Sequence, residues 1–217
     1  DKKGMFDFNS GKQERTFPAY NPYTISKCRT CPMANLKLAA GVADSENCAA
    51  CQYLQGCLAR AHETVNIGKG RILINNAVNR EDSDYSKLYQ IAEYFAKEGS
   101  EVVLAPKMTR PNKFKYDCIY SSLKGTKYEG KCPDLCIDGQ WYEHEGFITD
   151  NAKNAFRNMM RDGLRQSSRL IIDTPALTNR YMVNAILGRV GRGDAIDEVW
   201  LRSPEGALTL LYKKTDG

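Results

Sequence analysis

The chain has 217 residues, 42% apolar and 26% charged, with 31 Lys and Arg against 26 Asp and Glu for a formal charge of +5. That balance excludes collagen-like, wholly disordered and membrane-embedded classes, since no apolar run reaches the ~18 residues a spanning helix needs and the N-terminus lacks the apolar core of a signal peptide. The mild positive excess permits nucleic-acid binding without demanding it.

Residues 1–26 are polar and spotted with aromatics, and they read as an extended arm or linker. Residues 27–66 hold Cys28 and Cys31 in "CRTC", Cys48 and Cys51 in "CAAC", and Cys57 in "QGC". Two CxxC pairs at this separation match the spacing of a zinc ribbon or treble-clef knuckle, in which four thiolates close a tetrahedral shell around a structural zinc. Cys57, close to His62, is an alternative ligand. Disulfides or reduced buried thiols are the competing readings. Cys118, Cys132 and Cys136 are spread out and are expected to be buried or semi-buried free thiols.

Residues 67–217 read as the main domain. An apolar strand is expected at Ile72–Ile74. "DSDYSKLYQIAEYFAKEG" then predicts an amphipathic helix with Leu88, Ile91, Ala92 and Phe95 inward and a stop at Gly99. "SEVVLAP" is a buried strand ended by Pro106. Residues 107–130 read as a loop in which cations and aromatics interleave, either a solvated connector or a surface for phosphates and bases. "PDLCI" and "QWYEHEGF" flank Asp138-Gly139, the signature of a two-residue hairpin turn. A second amphipathic helix follows in "TDNAKNAFRNMMRDGLRQS", then a strand in "RLIID", a third helix in "ALTNRYMVNAILGRV", and a closing hairpin around Pro204 to Gly206. The order predicts an α+β domain with a small mixed or antiparallel sheet packed by helices, preceded by the zinc-knuckle-like module.

The hairpin sorts its own side chains. A turn at Asp138-Gly139 pairs Ile137 with Gln140, Cys136 with Trp141, Leu135 with Tyr142 and Asp134 with Glu143. Alternation then places Asp134, Cys136, Trp141, Glu143 and Glu145 on one face, and Leu135, Ile137, Tyr142 and His144 on the other. Two acids directly opposite repel, so a metal ion, a basic side chain or a proton must compensate. A hydrated, solvent-facing hairpin is the plain alternative. His144, turned to the apolar face, fits a satisfied core residue as well as a reactive one.

The runs "KYEGKCPDLCIDGQWYEHEGF", "NAFRNMMRDGLRQSSRLIID" and "VWLRSPEGALTLLYKK" resemble the nucleases grouped with barnase, EndoU, colicin D and RelE, over residues 72–214. The resemblance implies a toxin-type, metal-independent ribonuclease in which a ribose 2′-hydroxyl attacks the adjacent phosphate. Glu143 or His144 would be the acid/base groups. Lys107, Lys153, Arg157 and Arg161 would clamp phosphate, with Thr174 a lesser polar candidate. It further implies an RNA substrate, tRNA among the candidates, an immunity protein or phage head and portal proteins as partners, and a bacterial cytoplasm, a virion or a delivered toxin as the setting. Glu145 departs from the lysine found near that point in many relatives.

The same hairpin also resembles the PD-(D/E)XK nucleases, with Asp134, Glu143 and Glu145 as ligands of a divalent cation that activates water for cleavage of DNA, and Glu145 again in place of a lysine. A third expectation is a non-catalytic phage or mobile-element protein that binds nucleic acid through its zinc module and basic face.

Overall fold

The computed structural model describes residues 59–108, 113–146 and 151–215. The arm and all five cysteines of the N-terminal module, Cys28 to Cys57, lie outside the described residues, and the unit that starts at Leu58 is taken by itself. Its elements run β1 (His62–Ile67), β2 (Gly70–Asn75), α1 (Tyr85–Lys97), β3 (Glu101–Leu104), α2 (Lys113–Ile119), a 3-10 turn at Ser121–Leu123, β4 (Leu135–Ile137), β5 (Gln140–Glu145), α3 (Ala152–Gly163), β6 (Arg169–Asp173), α4 (Asn179–Val190), β7 (Glu198–Arg202) and β8 (Leu208–Lys213).

The strands form one mixed sheet of eight, each paired to its neighbours in the chain. Helical crossovers make β2 and β3 parallel through α1, β5 and β6 through α3, and β6 and β7 through α4, while the remaining pairs are antiparallel. The carboxyl ends of β3, β5, β6 and β7 therefore share one edge of the sheet with the amino end of β4. The sheet is mixed as expected, and larger than the small one the sequence suggests.

The expected hairpin register is present, with Leu135 opposite Tyr142, Cys136 opposite Trp141 and Ile137 opposite Gln140. Asp138 and Gly139 both carry positive φ, 47° and 80°, the backbone of a type I′ turn that Asp-Gly adopts at low cost. Helix α1 buries Leu88, Ile91, Ala92, Phe95 and Ala96 and ends at Gly99, where Ser100 N–H donates to Phe95 O and Gly99 N–H to Ala96 O. That paired closure is a Schellman motif, for which the positive φ of Gly99 is suited.

Helix α1 covers one sheet face, packing on Ile72, Ile74, Val102, Leu104, Leu135, Ile137, Tyr142 and Ile171. On the other face α3 and α4 pack Phe156, Met159, Met160, Met182 and Ile186 against Leu170, Ile172, Val199 and Leu201. Full burial of such side chains stabilises by about 1.5–3 kcal/mol each. A separate cluster on that second face joins Tyr116, Tyr120 and Leu123 to Trp141.

This last cluster corrects the loop expected at 107–130. The stretch contains α2 and the 3-10 turn, and its Tyr116 and Tyr120 are core. Tyr120 is fully buried, its ring 4.9 Å from that of Trp141 and 5.1 Å from that of Tyr116, and its hydroxyl donates to Pro106 O at 2.8 Å. These rings are committed to packing rather than to stacking bases. Cys118, Cys132 and Cys136 are half-buried thiols. Burial pushes the Cys136 thiol up to about 11, which leaves it unreactive near neutrality.

Candidate active site

The acids of the hairpin come together at the seam between the two clusters of the second face. Glu143 lies two residues beyond Trp141, which packs under α2, and pairs with Leu170, which packs under α3. The strand carries its next outward residue, Glu145, to the same edge. There it meets α3 closely: a Cβ on Gly163 would stand 3.1 Å from Glu145 Cγ and 2.8 Å from Leu170 Cδ2, so a side chain there would have to displace both.

Asp134 precedes β4 and is 5% exposed. Its main-chain oxygen accepts from Ala105 N–H at 3.0 Å and its Oδ2 from His144 N–H at 3.1 Å, so β3 and β5 both fix it. Burial raises its carboxyl pKa, against the opposing effect of that hydrogen bond and of Lys107. Glu143 retains some solvent contact as a residue, yet its Oε2 is sealed from solvent and has no hydrogen-bond partner. Burial, then the charges of Asp134 and Glu145, push its carboxyl well above the usual glutamate range. Burial, then Asp162 and Asp134, push Glu145 up to about 7. The repulsion anticipated from the register is thus present, and among the described residues no cation is in ion-pair contact with these three acids to relieve it.

Among the described residues, Lys107 is the cation that compensates all three acids. Its Nζ lies 3.2 Å from Asp84 Oδ2 and 3.7 Å from Asp82 Oδ2. Burial disfavours its charge, but Asp134, Asp84 and Asp82 together hold its pKa above the ordinary value. Asp84 occupies the N-cap position of α1 without making a side-chain cap, because its carboxylate faces Lys107 instead. Among the described residues no three His, Cys, Asp or Glu side chains already converge as a formed metal-ligand group. The donor chemistry nevertheless fits a hard cation: oxygen ligands only, one of them buried and unsatisfied.

The other face of β5 has the opposite character. His144, 3% exposed in its side chain, directs Nε2 to Asp173 Oδ1 at 3.2 Å. Asp173 also receives Lys87 Nζ at 2.9 Å on Oδ2 and Arg202 Nη1 at 3.1 Å on Oδ1, and Arg202 Nη2 donates to Gln90 Oε1 at 2.7 Å. Burial works against ionising Asp173, but the hydrogen bonds from His144 and Lys87 and their charges hold its carboxyl well below the usual range. An ionised carboxylate only accepts, so His144 Nε2 is the protonated nitrogen of this pair.

Of the expected site residues, the structure brings Asp134, Glu143, Glu145 and Lys107 to one edge and turns the His144 ring to the opposite face. The cations of α3 do not join them. Lys153 lies over the Tyr181 ring at 5.6 Å, Arg157 is exposed, and Arg161 pairs with Asp162 at 2.8 Å. Thr174 follows β6, and its N–H donates to Arg202 O. Sequence reasoning missed Asp84, Lys87, Asp173 and Arg202. Asp173 and Arg202 close their strands, and their polar ends were the available signal.

No family model and no curated protein matches the sequence. Among solved structures, the CdiA-CT/CdiI toxin and immunity complex from Burkholderia pseudomallei is similar at 18% identity and a TM-score of 0.37, over 64% of this chain and 91% of that one. A likeness at that score carries no argument about this chain. No helix of the described residues is long and apolar enough to cross a membrane.

Proposed function

We propose that this domain is a nuclease whose carboxylates Asp134, Glu143 and Glu145 bind a divalent cation and hydrolyse a phosphodiester of nucleic acid. The observation that carries the reading is the buried, partnerless Oε2 of Glu143 beside the buried carboxylate of Asp134. Leaving a carboxylate in that state is costly unless a cation or proton occupies the site when it works. The order α1, β3, "PD" before β4, then Glu143 and Glu145 on β5 agrees with the PD-(D/E)XK resemblance.

Such a cation, when bound, polarises the phosphate and lowers the pKa of water. The chain supplies the rest. Asp134, fixed from β3 and β5, and Glu143 hold charge at the end of the hairpin. Glu145, in the position where the motif has lysine, is the carboxylate at the same edge that would take the proton of that water. Lys107 is the cation at the same edge and stabilises negative charge developing on phosphate.

The raised carboxyls also support a second reading, the metal-free ribonuclease, with neutral Glu143 as acid and Glu145 as base. One assay separates them: tRNA, total RNA and duplex DNA, each with and without EDTA. Cleavage that EDTA abolishes supports the cation reading, RNA cleavage that survives EDTA supports the second, and no cleavage of any substrate contradicts both. The toxin setting and an immunity partner belong to this proposal as well, and growth arrest on expression, relieved by Glu143→Ala, is their expected mark. A structural zinc in the cysteine module completes it.

A further inference from the structure

The residue between the two acids of β5 is tied down more tightly than core packing requires. The backbone ladder between β5 and β6 ends at the pair Glu145 and Ile172. Just there, the His144 ring bonds Asp173 at 3.2 Å, and Asp173 is in turn held by Lys87 from α1 and Arg202 from β7. Lys87 and Arg202 already neutralise Asp173. The main-chain N–H of the same residue donates to Asp134 Oδ2 at 3.1 Å, so His144 bonds Asp173 through its ring and Asp134 through its backbone.

We propose that His144 and Asp173 are positioning residues for the carboxylate site: their buried hydrogen bond locks the end of β5, so that the His144 N–H holds Asp134 beside Glu143 and Glu145. Neither side chain touches the site. The inference rests on reading Asp134, Glu143 and Glu145 as a divalent-cation site. Outer-shell hydrogen bonds of this kind are worth about 10–100-fold in metal affinity.

The test is Mn2+ binding, followed by the electron paramagnetic resonance of free Mn2+, in wild type, His144→Leu and His144→Gln. Leucine fills the pocket without the hydrogen bond and is expected to weaken Mn2+ binding about tenfold. Glutamine keeps an N–H for Asp173 and is expected to stay within about twofold of wild type, a rescue that loss of packing alone does not predict. Asp173→Asn, close in shape, provides the same measurement should His144→Leu fail to fold, with a weakening similar to that of leucine expected. Wild-type binding with unchanged affinity in His144→Leu or in Asp173→Asn, or equal losses in Leu and Gln, overturns the positioning role alone. Absence of Mn2+ binding by the wild type overturns the cation reading, and this inference with it.

Discussion

The two faces of β5 are built from alternate residues of one six-residue strand, yet they treat charge in opposite ways. On the α1 face, Asp173 receives the His144 ring and the cations Lys87 and Arg202, and its carboxyl is held ionised. On the α2/α3 face, Asp134, Glu143 and Glu145 crowd together near Lys107, and all three carboxyls are pushed toward the neutral form. A satisfied buried charge holds the scaffold together; an unsatisfied one marks where stability has been given up for chemistry.

The largest effects should separate the faces. Glu143→Gln removes the sealed charge while keeping shape, so turnover is expected to fall about a thousandfold or more while the melting temperature holds or rises. A lower melting temperature with retained cleavage would reverse the assignment of this face. Asp173→Ala should do the converse for stability, costing about 3–5 kcal/mol in chemical denaturation because Arg202, 7% exposed, is left buried without its carboxylate. A cost near zero would mean that the network is not a scaffold.

Gly163→Ala tests the seam between helix and acid. The added methyl meets Leu170 Cδ2 at 2.8 Å and Glu145 Cγ at 3.1 Å, so a loss of about 1–3 kcal/mol is expected, with turnover lowered as Glu145 shifts. Thermal melting with an activity assay measures both, and neutrality in both would show that α3 does not constrain the acid.

The smallest effect is on pH. Glu145 is raised to about 7 and Glu143 is raised too, so between the ordinary glutamate pKa of about 4.3 and 7 the folded state binds more protons than the unfolded one. Their contribution is therefore present below that range and is lost as pH rises through it. Asp173, lowered, contributes equally at pH 5 and pH 8. The metal-free protein should melt at a lower temperature at pH 8 than at pH 5, and Glu145→Gln should narrow the gap. A gap that Glu145→Gln leaves unchanged would place the titration elsewhere.

Local chemistry made much of this arrangement legible in sequence. Asp138-Gly139 dictates a turn, the turn dictates the register, and period-two alternation then separates Glu143 from His144 without any tertiary information. Helices α1, α3 and α4 announce themselves by apolar spacing. What stayed hidden depends on tertiary partners. The edge strand β1 has a polar run, "HETVNI", with only Val65 and Ile67 packed against the core. Helix α2 has seven residues, too few for a periodic signal, and is held by Tyr116 and Tyr120 against Trp141. The ring partner of His144 comes from β6 and the groups that hold that partner from α1 and β7, and the parallel pairing of β5, β6 and β7 brings Asp173 and Arg202 beside it. Lys107 reaches the acids because β3 lies next to β4, a neighbour relation that spacing does not reveal.

The most direct test of the central claim is calorimetric titration of Mn2+ into the protein at pH 6.5, repeated in buffers of different ionisation enthalpy. Carboxyls raised toward neutrality must lose protons to bind a cation, so the account predicts saturable binding with net proton release, both abolished in Glu143→Gln. Saturable binding that releases no protons, or that persists unchanged in Glu143→Gln, would contradict it.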